Sequence, residues 1–371
     1  MRAALAAGFL LLTVACAATP DGTAIPPAPA AEVFTAAPPL SAAGSNPSRT
    51  PLLLPVPALP PQAGPRAEIL AVADEALRRA PQPRQAITTQ GLMFTDRAYV
   101  ESSEAKRDWY RMLALALAAR ETGQGQYHRA YSEYLDAWLA VFRPGNDPIS
   151  ESDFHFFVLA ADLQRARLRP EQLLGLARLF RSMVKGYLDP ATYPVGTVNN
   201  NWQSHRIKLA SLMAFALGDE ELLRRCRGAF RKQIAENLRP DGVVLDFQQR
   251  DALRYATYSL EPLLLAALVA QEHGQDWFAY ESPSGSTLNR SLRWLAEYAS
   301  GRQTHEEFRN TTVEFDRRRA AAGLAGFSGL WQPTSAAPCY QLAARLNPEW
   351  RQFASRLDPG PAWIALRFPQ P

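Results

Sequence analysis

Cysteine is scarce: the 371-residue chain has three, at Cys16, Cys226 and Cys339. That excludes a disulfide-stapled scaffold and a zinc site built from clustered thiolates. For Cys226 and Cys339 the sequence leaves two states open, a disulfide formed in an oxidising compartment or two buried thiols. Glycine-rich phosphate loops are missing, and so is any Gly-x-Ser-x-Gly turn. The five histidines are dispersed, and His305-Glu306-Glu307 has no second histidine one turn on, which removes the zinc-hydrolase pattern. No metal and no cofactor is expected. Charge of one sign is also lacking. Lys and Arg number 40 against 36 Asp and Glu, for a net charge of +4, and they are spread along the chain. A nucleic-acid partner is not expected from that pattern, whereas an anionic ligand suits the mild basic excess. Sustained strand alternation is scarce as well.

What is present starts at the N-terminus. Arg2 precedes an apolar run from Ala3 to Ala15, too short to span a bilayer and read as a secretory leader. It ends in Leu12-Thr13-Val14-Ala15-Cys16, which resembles a bacterial lipobox with Cys16 as the acylated residue; ordinary leader cleavage nearby stays open. Residues 17–65 are rich in Pro and Ala without a period and read as a disordered tether. A monomer in the periplasm or at the outer membrane of a Gram-negative bacterium is expected, touching membrane only through a lipid anchor.

From about Arg66 the pattern is helix after helix. Helices are expected near Arg66–Ala80, Glu101–Arg120, Tyr127–Phe142, Asp153–Leu168, Pro170–Leu188, Trp202–Leu217, Asp219–Leu238 and Arg250–Gly274. Four more are expected at Ser284–Ser300, Thr304–Ala322, Ala336–Leu346 and Glu349–Leu357. Short connections and no fixed-period repeat favour an all-α toroid of helical hairpins, left incomplete, over a regular solenoid.

Two polar stretches interrupt this pattern. Asn199-Asn200-Asn201-Trp202-Gln203-Ser204-His205-Arg206 opens one helix, and Asp246 to Pro262, with Arg250, Arg254, Tyr255, Tyr258 and Glu261, opens another. They read as two walls of one pocket. With Ser103 to Trp109 they resemble the alginate lyase superfamily of α/α-toroid polysaccharide lyases, including glucuronan-cleaving relatives. The resemblance spans roughly Gln90 to Leu346. It implies β-elimination on a uronate polymer, with Tyr255, or second to it Tyr258, as acid and base and with Asn200, His205 and Arg250 assisting. It also implies that Asn201, Trp202, Arg206, Arg254, Tyr258, Lys106 and Trp109 line the sugar cleft. Members carry a histidine directly after the two asparagines and another after the tyrosine; here Asn201 or Trp202, and Ala256, stand in those places.

Each residue also has a plainer role. The asparagines can cap a helix, His205 and the two tyrosines can be core, and Arg250 can pair with Asp246. Lys106 can be a solvated first-turn residue and Trp109 a core one. Two other functions remain in view. One is a non-catalytic uronate-binding protein. The other is a glycoside hydrolase, which needs two opposed carboxylates, with Asp246 and Glu261 as the pair.

Overall fold

The computed structural model describes residues 63–357 and 360–368. The leader, Cys16 and almost all of the 17–65 tether lie outside the described residues. Helix α1 spans Ala63–Ala76, three residues earlier than expected, with Gly64 and Pro65 inside its first turn. Proline is tolerated there because first-turn N–H groups have no helical acceptor. Next come α2 (Arg97–Thr122), α3 (Gly125–Val141), α4 (Phe154–Gln164), α5 (Pro170–Tyr187), α6 (Asn201–Leu217) and α7 (Glu220–Asn237). The series ends with α8 (Leu245–Arg250), α9 (Leu253–Glu272), α10 (Leu288–Ala299), α11 (Glu314–Ala321), α12 (Ala337–Leu346), α13 (Arg351–Arg356) and α14 (Ala362–Arg367). Among the described residues the only β pairings are isolated bridges, Leu238 with Val244 and Glu306 with Leu330.

The helices form two layers. In the inner layer α2 packs on α4, α4 on α6, α6 on α9, and α9 on α12. Outer helices cover them: α3 lies on α2, α5 and α7 on α6, α10 on α9, and α13 on α12. Composition sorts the layers. In α6, fifteen residues from Asn201 to Ala216 are buried, and α9 buries Leu253, Leu260 and an unbroken run from Pro262 to Ala270. Outer helices such as α5 and α7 bury one stripe and expose the rest, as a helix between core and water must. This is the all-α toroid that the periodicity predicted. Helix α14, absent from that reading, packs on α12, α1 and α2 and so links the two ends of the array.

Three local departures shape the site. The Thr304–Ala322 helix shrinks to Glu314–Ala321, because His305 to Phe308 pairs its backbone elsewhere: Glu307 N–H donates to the Gly329 carbonyl and Phe308 N–H to the Asp251 carbonyl, each at 2.8 Å. The Arg250–Gly274 helix splits at Asp251, which adopts a left-handed conformation with φ of 54°. Gly242 turns between α7 and α8 with φ of 93°, and a Cβ there would lie 2.5 Å from the Arg290 carbonyl oxygen. Cys226 and Cys339 are both buried and unpaired as free thiols.

Candidate active site

The start of α6 forms one wall. The Asn200 side chain accepts from Trp202 N–H at 3.1 Å and donates to the Gly196 carbonyl at 2.9 Å. It is therefore a helix cap, and Asn201 rather than Asn200 lines the cleft. Asn201 gives both its backbone and side-chain N–H to Asp246 Oδ1, at 2.9 and 2.7 Å. Asp246 Oδ2 accepts from Asn237 at 2.8 Å. Asp246 is 1% exposed, and burial raises its carboxyl above the ordinary range while these amide donors oppose the rise. It staples α6 to α8. The expectation that it partners arginines, or forms half of a carboxylate pair across a cleft, is overturned by those three amide bonds.

The α8–α9 corner forms the second wall and α11 the third. The left-handed turn at Asp251 brings the Arg250 guanidinium back over the Tyr255 ring, 4.5 Å from its centroid. Arg250 donates to Asp316 Oδ2 at 2.6 Å. The Tyr255 hydroxyl lies 3.4 Å from Asp316 Oδ1 and 3.5 Å from Arg319 Nη1. Burial pushes the Tyr255 phenol above its ordinary value, against the pull of Arg250, Arg319 and Arg254. Lys106, paired with Asp153 at 2.8 Å, closes the side belonging to α2. The result is a cleft of about 320 Å³ lined by Lys106, Asn201, Trp202, Arg250, Arg254, Tyr255, Tyr258 and Arg319. Tyr99, Phe315 and Phe327 add aromatic surface. Four cations and no carboxylate face this space, so an anionic ligand with flat apolar faces fits it.

The polar starts of α6 and α9 do converge, but not every expected residue arrives. Trp109 is fully buried, its ring 5.2 Å from Trp138 and 5.1 Å from Phe154. Arg206 is buried under Tyr193, 3.8 Å from its ring, and donates to the Thr197 carbonyl at 2.7 Å. Neither reaches the cleft: the one is core, and the other ties the loop before α6 to its helix. Asp316, Arg319 and Phe327 were missed. Asp316 and Arg319 lie in a stretch whose charges look like any solvated helix face, and only the packing of α11 aims them inward, while Phe327 comes from the loop after it.

His205 sits behind the cleft wall. It is 3% exposed, and its ring lies 4.2 Å from that of Tyr258. Pro262 within α9 has no N–H to give the Tyr258 carbonyl one turn earlier, and the Tyr258 backbone offers His205 a weak favourable contact. Burial, with Lys208 and His155 nearby, holds His205 far below its ordinary value, so at neutral pH it is uncharged. His155 shares this environment. Its Nδ1 lies 2.9 Å from the Ser152 carbonyl, which also accepts from Lys208. Burial and Lys208 push His155 down to about 3. An unfolded histidine gains a proton near ~6.5. Between that pH and about 3 the unfolded chain therefore holds a proton that the folded chain refuses, and stability falls as pH drops through that window. A His155→Gln variant is expected to show a flatter decline of urea midpoint between pH 7 and 4 than the parent. Parallel declines would count against a neutral buried imidazole.

Among the described residues no helix is long and apolar enough to cross a membrane, and no group of three His, Cys, Asp or Glu stands ready for a metal ion. The sequence profile of the alginate lyase family matches residues 58–305. A crystal structure of an alginate lyase from Bacteroides ovatus superposes with a TM-score of 0.63 at 15% identity, covering 82% of this chain and 92% of that one. Alginate lyase A1-III, as a tyrosine-to-phenylalanine variant complexed with tetrasaccharide, superposes at 0.50 with 17% identity over 63% of this chain and 78% of that one. No curated protein matches at a significant level. The structural likenesses establish the toroid, while the profile covers the start of α6 and the α8–α9 corner, the two walls that carry Asn201, Arg250 and Tyr255. On that match the chain belongs to the alginate lyase family.

Proposed function

We propose that this polysaccharide lyase cleaves a β-1,4-linked uronate polymer of the mannuronate-alginate or glucuronan kind, with Tyr255 as its acid and base. The observation carrying this reading is the Tyr255 hydroxyl, held between Arg319 and Asp316 beside Arg250 at an open cationic cleft. β-Elimination removes the proton on C5, next to the carboxylate. The electron pair forms the C4–C5 double bond, the C4–O4 bond breaks, and O4 leaves and takes up a proton. The C5 proton is very weakly acidic while the carboxylate keeps its charge, so cations must gather that charge as it spreads. Arg319 and Lys106 are placed for the reacting carboxylate, and Arg254, at the exposed edge, for holding the chain beside it. Asn201, fixed by Asp246, presents a preorganised amide. Arg250, already bound to Asp316, steadies the phenol and favours its ionised form. One phenol serving both C5 and O4 suits syn elimination, the geometry of mannuronate and glucuronate.

The test is a screen of purified protein against polymannuronate, polyguluronate and glucuronan, read by the ultraviolet absorbance of the new double bond. Saccharide binding without product from any of them would favour a non-catalytic binding protein. Arg254 is exposed in the cleft. Arg254→Ala is expected to raise KM about tenfold with little change in kcat, the mark of lost uniform binding. A collapse in kcat at constant KM would move Arg254 into the chemical step. For location, the leader-like run and Leu12-Thr13-Val14-Ala15-Cys16 support the periplasm or outer membrane, with lipid on Cys16. Release of the Cys16→Ala protein from membranes is the expected outcome.

A further inference from the structure

The Tyr255 hydroxyl has polar contacts at 3.4 Å to Asp316 and 3.5 Å to Arg319. Both are at the long end for hydrogen bonds, so they fix the phenol weakly. Its placement falls to what packs on the ring. Arg250 lies over the ring, and Phe308 meets it at 5.9 Å with the two planes 84° apart.

Both neighbours are delivered by left-handed backbone. Asp251, next to Arg250, has φ of 54°, and Phe308 has φ of 61°. Aspartate enters this region more readily than most residues, whereas a bulky aromatic there is an outlier. The two positions are tied to each other. Phe308 N–H donates to the Asp251 carbonyl at 2.8 Å, and Asn310 N–H donates to Asp251 Oδ2 at 2.7 Å. On the other side, Glu307 N–H donates to the Gly329 carbonyl. The unfavourable conformation persists because its surroundings over-determine it, a pattern that clusters at functional sites.

The Phe308 ring stands apart from the main core. Ala252, Phe308 and Phe327 form a small buried cluster of their own, with Tyr255, Ala320 and Leu324 packed against it. Phe327 stacks on Phe308 at 5.0 Å, 18° from parallel. The guanidinium groups of Arg254 and Arg319 lie 4.9 and 5.0 Å from the Phe327 ring. Gly326 leaves room for Arg254 to reach it, since a Cβ there would lie 2.6 Å from Arg254 Nη1. One aromatic stack therefore touches the phenol at one end and two cations of the cleft at the other. Phe308 itself is 6% exposed and is not among the residues lining the cleft.

We propose that Phe308 is a positioning residue for the elimination: its ring, backed by Phe327, sets the Tyr255 phenol at the distance and angle from which it reaches C5 of the bound uronate. This rests on the lyase reading above and adds a residue to its machinery.

The test is Phe308→Leu, which keeps an apolar side chain and removes the flat wall. On whichever uronate polymer the parent cleaves, kcat is expected to fall roughly ten- to a hundredfold, the cost of misplacing a reacting group. KM should stay near the parent's. Phe327→Leu releases the two arginines, so its KM should rise about fivefold, the worth of a cation–π contact. General loosening of the fold would not split kcat and KM between two stacked residues. An unchanged kcat in Phe308→Leu, or the same change of both constants in the two variants, overturns the proposal. Phe308→Met serves if the leucine protein fails to fold.

A second readout needs no turnover. Full-length protein carrying carbon-13 at the oxygen-bearing tyrosine ring carbon gives a Tyr255 resonance, identified by its loss in Tyr255→Phe. The charged groups facing that phenol are Arg250 from α8, Arg254 from α9, and Asp316 and Arg319 from α11. Burial is what raises it, so once loosened by Phe308→Leu it should titrate nearer the free value of ~10. An unmoved titration overturns the proposal. If no polymer yields unsaturated product from the parent, the lyase reading fails by itself, and the titration alone decides whether Phe308 places the phenol.

Discussion

Tyr255→Phe is expected to lower kcat by at least a thousandfold while leaving the fold and saccharide affinity close to the parent's. The change deletes one oxygen at the mouth of the cleft and keeps the ring that packs edge-on against Phe308 at 5.9 Å. Positioned acid–base groups contribute roughly 10²–10⁴ to rate, and a phenol that both takes the C5 proton and returns one to O4 sits at the upper end. The pH profile gives a second handle. Burial raises the phenol above its ordinary value, so its ionised fraction grows across the alkaline range. The parent's kcat/KM should climb as pH rises from 7 to 9. An active Tyr255→Phe protein, or a flat profile, would hand the proton transfer to another group, with Tyr258 next in line.

Arg367→Met is expected to cost stability on the order of 3–5 kcal/mol, the usual penalty for removing one partner of a buried ion pair. Arg367 on α14 donates to Asp162 on α4 at 3.1 Å, and the two side chains are 0% and 1% exposed. Burial lowers Arg367 only to about 10, so it stays charged at neutral pH and its loss takes a cation away from a carboxylate that is itself only 1% exposed. In a domain of this size the melting temperature should fall by roughly 10 °C. Pairing the change with Asp162→Leu should recover much of the loss, because well-packed apolar side chains replace buried ion pairs at little cost. A melting temperature within two degrees or so of the parent's would mean that α14 contributes little to holding the array together.

Much of the helical skeleton was readable because period and burial agree. The stripes of α3, α5 and α7 gave their limits to within a residue or two. Reading failed where a tertiary partner claimed the backbone. Thr304 to Val313 has helical composition, yet the Asp251 and Gly329 carbonyls accept its N–H groups and Trp331 N–H donates to its His305 carbonyl. Helix α14 is six residues long, too short to show a period, and only its packing on α1, α2 and α12 reveals it. At the site, the polar residue types singled out Tyr255, Arg250 and Asn201, which do line one cleft. It could not say which of three consecutive asparagines turns inward, since capping uses the same amide that binding would. Arg206 and Trp109 carried motif-like neighbours, but their depth in the fold depends on helices far away in sequence. Asp316 and Arg319 gave no signal, because one acidic and one basic residue on a charged helix are ordinary until something turns them toward a phenol.

The packing of α1 against α14 has a consequence for the order of the chain. Two helices in contact can be spliced by a bridging peptide of about ten residues, which reaches some 30 Å when extended. New ends can then be opened at the exposed link after Gly123 between α2 and α3, outside the lining of the cleft. Such a rearranged gene product should assemble the same hollow of arginines and phenols, since each layer-to-layer contact survives with only its sequence of synthesis altered.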